Sequence, residues 1–76
     1  MKNEIISFLE SVCPDVDFRT EDELMDGGIL DSMSVVQIIG ELSVEYDISF
    51  TFADLTGENF NSGEAIAALV EKKLGR

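Results

Sequence analysis

The chain has 76 residues, enough for one small domain. Sixteen acidic side chains against five basic ones give a net charge of −11. That balance excludes nucleic acid as a partner, because phosphate contacts need Lys and Arg, and it disfavours anionic membrane surfaces. With no histidine and Cys13 as the only cysteine, neither an intrachain disulfide nor a structural zinc site can be assembled.

Four helical segments follow in chain order. The first is expected from about Asn3 to Cys13, where Ile5, Phe8, Leu9 and Val12 make one apolar stripe at i, i+3, i+4, i+7 spacing. Pro14 stops it, because the residue before a proline avoids the helical region. A long loop then runs from Pro14 to Asp31. It holds seven acids (Asp15, Asp17, Glu21, Asp22, Glu23, Asp26 and Asp31) and a single base, Arg19. Loops this long in small domains are uncommon and often functional. Val16, Phe18, Leu24, Met25, Ile29 and Leu30 are expected to pin it to the core, and Gly27-Gly28 permits a tight reversal.

The second helix is expected from Ser32 to Tyr46 with Asp31 as its N-cap. Val35, Ile38, Ile39, Leu42 and Tyr46 fall on one side and form its core stripe. Met33, Val36, Gln37, Gly40 and Val44 fall roughly opposite, on a face that should be wet. An apolar stripe there, with a glycine that costs about 1 kcal/mol relative to alanine, points to a binding face. A short third helix is expected after Phe50, opened by a Thr51/Asp54 capping box, with Gly57 as its stop. Phe60 should plug the core from the loop that follows. Asn61, with Glu64 three residues on, should cap a fourth helix reaching Leu74, with Ile66, Leu69, Val70 and Leu74 as its stripe. Lys72 and Lys73 in its last turn suit the helix dipole. The expected architecture is all-α: a small four-helix bundle of three main helices and one short one, with a long loop between helices 1 and 2, as a single domain over residues 1–76.

Three chemistries can be weighed on this frame. Ser32 as a hydrolytic nucleophile needs a base, and there is no histidine to serve. Nor does Leu30-Asp31-Ser32-Met33-Ser34 carry the flanking glycines of a nucleophile elbow. A calcium loop starting at Asp15 and Asp17 fails at Arg19, Thr20 and Asp26, where a ligand, the turn glycine and the bidentate glutamate should stand. Cys13 reads as a small apolar residue at a helix end, without the electropositive setting of a reactive thiol. No catalytic residue and no metal ligand set is therefore assigned. What fits is Ser32 as an attachment site. It stands in solvent at a helix start, where backbone N–H groups favour a phosphate ester, although Asp31 and the acidic loop oppose that charge. Any protein docking on the stripe below it would meet it. The competing possibility is an acidic helical adaptor whose serine is never modified.

The segment Asp26-Gly27-Gly28-Ile29-Leu30-Asp31-Ser32-Met33 resembles the acyl carrier protein motif around the serine that receives 4′-phosphopantetheine, with Met33 in place of the usual leucine. The order of helices and the long loop match as well, over nearly the whole chain. Within that family Val36-Gln37-Ile38-Ile39-Gly40-Glu41-Leu42 and Tyr46-Asp47-Ile48 are similar to D-alanyl carrier proteins. The chain departs from those in having no proline at residues 49–51 and phenylalanine rather than tryptophan at Phe60. Only Glu41 and Glu45 are acidic between Ser32 and Tyr46, fewer than in carriers of fatty-acid synthesis.

The resemblance implies a carrier rather than a catalyst. Ser32, flanked by Asp31 and Met33, would take 4′-phosphopantetheine from coenzyme A through a phosphopantetheinyl transferase. The arm's thiol would hold an acyl or aminoacyl group as a thioester, loaded by an adenylating ligase or a synthase and passed to a downstream acyltransferase. Fatty-acid or polyketide intermediates are the alternative cargo. Met33, Val36, Gln37, Gly40, Glu41 and Val44 would form the partner-binding face, with the acidic surface steering the chain toward basic partners. No apolar run approaches the ~20 residues of a membrane span. Met1-Lys2-Asn3-Glu4 shows no secretory signal, and an unpaired cysteine fits a reducing compartment. The expectation is a cytoplasmic monomer.

Overall fold

The computed structural model describes residues 1–75. Its elements, in order, are α1 (Lys2–Val12), α2 (Ser32–Tyr46), a 3₁₀ turn (Phe52–Asp54), α3 (Gly57–Phe60) and α4 (Gly63–Lys73). The described residues form helices, turns and loops without a strand, so the all-α bundle of three main helices and one short one is what the chain adopts. α1 packs against both α4 and α2, and α3 packs against α4.

Each main helix begins or ends for a local reason. α1 stops at Cys13, whose N–H donates to the Leu9 carbonyl at 2.9 Å just before Pro14 blocks the next turn. α2 is capped by Asp31, whose Oδ1 accepts the Ser34 N–H at 2.8 Å. Its other end closes at Asp47, which takes the left-handed conformation (φ 53°) that aspartate tolerates better than most residues. α4 is capped by Ser62, whose Oγ accepts the Ala65 N–H at 3.0 Å.

Two expectations about the second half of the chain need correction. Gly57 opens α3 instead of stopping the helix before it; the Thr51/Asp54 pairing closes only a 3₁₀ turn, with the Thr51 N–H held by Asp54 Oδ2 at 2.8 Å. Helix 4 is capped by Ser62 and not Asn61, because the Asn61 side chain is engaged by the long loop. Its Oδ1 accepts the N–H groups of Met25 (3.0 Å) and Asp26 (2.9 Å), and its Nδ2 donates to Asp26 Oδ2 at 2.8 Å.

The core draws on every main helix and on the loop. Ile5 and Leu9 of α1, Ile38 and Leu42 of α2, and Ile66 and Val70 of α4 are fully buried. So are Phe18 and Leu24 from the loop and Phe60 from the end of α3, while Leu30 is nearly so. The Cα radius of gyration is 10.9 Å, close to the roughly 11 Å of a compact chain of this length. The long loop therefore lies on the bundle. Ile29 is the exception among its expected anchors, being 42% exposed. No polar or charged side chain is buried among the described residues, so the core is held by apolar packing alone.

Candidate functional site: the exposed start of helix α2

Ser32 is the first residue of α2 and is exposed. Asp31 sets that start: its extended backbone (φ −85°, ψ 179°) turns the chain into the helix, and its carboxylate takes the Ser34 N–H. The Ser34 N–H and then the Ser34 hydroxyl hold the Asp31 carboxyl below the usual carboxylate range. Asp31 is thus an anion at neutral pH, and it occupies one of the donors that a phosphate at this helix end would otherwise use.

A cleft of about 300 Å³ opens beside Ser32. Met25 and Leu30 from the loop, Val35 and Val36 from α2, and Leu55 after the 3₁₀ turn give it apolar walls, while Asp31 and Ser32 stand at its polar rim. Met25 and Leu30 come from the loop that the sequence pinned to the core. Leu55 enters because the 3₁₀ turn ends one residue before it and redirects the chain there. Its part was not foreseen, since a turn that stops after three residues leaves no periodicity to read.

The apolar stripe read from helical spacing is exposed on the side of α2 away from the core. Met33 is 78% exposed, Val36 61% and Val44 85%; Gln37, Gly40 and Glu41 are exposed too. A Cβ built on Gly40 would meet nothing within 4 Å. Its glycine is therefore not required by any approach within the chain. The stripe's opposite, Val35, Ile38 and Leu42, is buried, with Ile39 and Tyr46 half-buried. Phe52, in the 3₁₀ turn, is 91% exposed as well.

The remaining candidates stay outside this site. Cys13 is half-buried; burial first, and the charge of Asp15 second, push its thiol above the usual range, so it remains protonated and unreactive near neutrality. Asp17 is used within its own loop, accepting from the N–H groups of Arg19 and Thr20 and from the Thr20 hydroxyl. Among the described residues no group of three or more acids and cysteines is arranged to hold a metal ion. No helix among them is long and apolar enough to cross a membrane.

No protein-family model matches the chain. Individual relatives do. The D-alanyl carrier protein of Lactococcus lactis subsp. lactis (strain IL1403) is 38% identical over 76 aligned residues, covering 96% of this chain and 95% of the relative. The chain belongs to the D-alanyl carrier protein family. Its counterpart in Lactococcus lactis subsp. cremoris (strain MG1363) is 37% identical over the same shares. The D-alanyl carrier protein of Leuconostoc citreum (strain KM20) is 25% identical over 99% of this chain and 97% of its own length. Membership in this family makes the protein a carrier. Ser32, exposed at the start of α2, is open to solvent in this carrier.

Proposed function

We propose that this protein carries D-alanine as a thioester on a 4′-phosphopantetheine arm attached to Ser32, receiving it from an adenylating ligase and delivering it to a downstream acyltransferase. The observation that supports this most is the exposed hydroxyl of Ser32 at the first position of α2, on the rim of an apolar cleft. An arm needs an accessible ester oxygen and room alongside it, and both are present.

When bound, the arm supplies the thiol that holds the cargo. The chain's own residues do the rest. Ser32 offers the oxygen that bonds to phosphorus. The chain has no histidine to take the Ser32 proton, and we assign that base to the phosphopantetheinyl transferase. Asp31 fixes the start of α2 and so the position of Ser32. Met33, Val36 and Val44, with the flat spot at Gly40 between them, make an apolar face onto which partner enzymes dock, and Gln37 and Glu41 give it polar edges. The cleft beside Ser32 suits a small cargo, and the names of the relatives, D-alanyl carrier proteins, favour D-alanine. We take residues 1–76 to act as one carrier domain, monomeric and in the cytoplasm, where a lone thiol such as Cys13 stays reduced.

The loading test uses the chain already bearing its arm. Incubated with ATP and an adenylating ligase for D-alanine, it should gain one alanyl group that hydroxylamine removes. A chain that accepts only long acyl groups from a fatty-acid ligase, and no D-alanine, would contradict the assignment of cargo.

A further inference from the structure

The side chain of Asn61, far from Ser32 in sequence, ties together both walls of the cleft beside it. Its Oδ1 accepts the N–H groups of Met25 and Asp26 at 3.0 and 2.9 Å, and its Nδ2 donates to Asp26 Oδ2 at 2.8 Å. The Asn61 carbonyl in turn accepts the Leu24 N–H at 2.9 Å. From there the connection runs on toward the serine: the Leu30 N–H donates to the Leu24 carbonyl at 2.7 Å, and Leu30 adjoins the cap Asp31. On the other wall the Asp26 carboxylate lies so close over Gly57 that a Cβ there would collide with it. Gly57 stands two residues beyond Leu55. The Asn61 amide thus fixes Met25 on the loop wall and, through Asp26, the segment that carries Leu55, while its main-chain carbonyl holds Leu24 and so Leu30.

From this geometry we infer that Asn61 is a positioning residue for the modification of Ser32, with Asp26 as its partner. It holds the loop against the α3–α4 junction so that Asp31-Ser32 stands open to an incoming transferase and the cleft alongside stays formed. The inference rests on the arm being attached at Ser32. Of the docking face on α2 only Val36 borders the cleft, and none of its residues bonds to Asn61 or Asp26. Loss of the tie should therefore impair presentation of Ser32 and leave docking alone.

Transfer of the arm from coenzyme A by a phosphopantetheinyl transferase, followed by intact mass at varied carrier concentration, tests this. Asn61→Asp removes the donated hydrogen bond and sets two carboxylates against each other. It should lower kcat about tenfold and leave KM for the carrier within about twofold. The exchanged pair Asp26→Asn with Asn61→Asp restores one amide and one carboxylate in contact and should recover kcat. A partly unfolded population would raise the apparent KM and leave kcat unchanged, so that pattern would overturn the inference, as would an exchanged pair that regains thermal stability without regaining kcat. If Asn61→Asp does not fold, amide exchange in the wild-type chain decides: the Met25 and Asp26 amides should be protected relative to those of Asp22 and Glu23, and equal exchange would overturn it. A wild-type chain that gains no arm would bring down the assignment of Ser32 and this inference together. A wild type that gains the arm, beside an Asn61→Asp variant equally fast, would remove this inference only.

Discussion

Asp54 shows how much one half-buried acid can organise. Its carboxylate receives Lys73 Nζ at 2.7 Å and the Thr51 N–H at 2.8 Å, and the same Lys73 ammonium lies 5.1 Å from the centre of the Phe50 ring. Lys73 first, and then the Thr51 N–H, hold the Asp54 carboxyl below its ordinary value. In the unfolded chain that carboxyl titrates near 3.9. Because the folded value is the lower one, its contribution to stability is complete above about pH 4 and is lost as pH falls through the folded value. Asp54→Asn should lower the melting temperature by a few degrees at pH 7 and by less near pH 2, as followed by circular dichroism. An equal loss at both pH values would mean that the carboxylate's charge contributes nothing. Residues of this kind were partly legible: Thr51 with Asp54 announced a cap, but nothing in their spacing told of Lys73, which reaches Asp54 only once α4 is docked. Asn61 was misread for the same reason. An asparagine three residues before a glutamate is a good local cap, yet the loop's unpaired N–H groups claimed it.

Helix α2 was the most legible element, and it carries the site. Fifteen residues with a clean capping residue and a core stripe at helical spacing leave little choice of boundary or face. The opposite stripe is largely apolar and exposed, which separates two kinds of substitution. Val44→Asp, at a position 85% exposed, should change stability by no more than about 0.5 kcal/mol while weakening docking to a partner enzyme about tenfold. Leu42→Ala, at a fully buried position, should cost about 2–5 kcal/mol. Urea denaturation and a binding titration on both variants distinguish the faces; a Val44→Asp variant that unfolds without any docking defect would make the stripe part of the core. The segment after α2 was legible only in outline. A 3₁₀ turn and a single-turn α3 are too short for periodicity, and their places are set by Phe60 entering the core and by Asp26 against Gly57.

At the scale of the whole molecule, charge is distributed unevenly. The basic residues are Lys2, Arg19, Lys72, Lys73 and Arg76, so nothing between residues 20 and 71 is basic. Among the described residues, Lys2 pairs with Glu64, Arg19 with Glu10, and Lys73 with Asp54. The loop beyond Arg19 and α2, which frame Ser32, therefore present acid with no base of their own. Association with a basic partner should be fast at low salt, and its on-rate should fall about tenfold or more between roughly 0.05 and 0.5 M salt, measured by stopped flow. A salt-independent on-rate would leave apolar contact alone to account for docking. The bundle and its long loop are legible in the sequence because apolar spacing and Pro14 dictate them. The cleft could not, because its walls come from three separate segments. All of this converges on one oxygen atom. The most direct test is the intact mass of the chain after incubation with coenzyme A and a phosphopantetheinyl transferase. The wild type should gain a single phosphopantetheine and Ser32→Ala none; an unmodified wild type, or a Ser32→Ala chain that gains the same mass, would contradict the account.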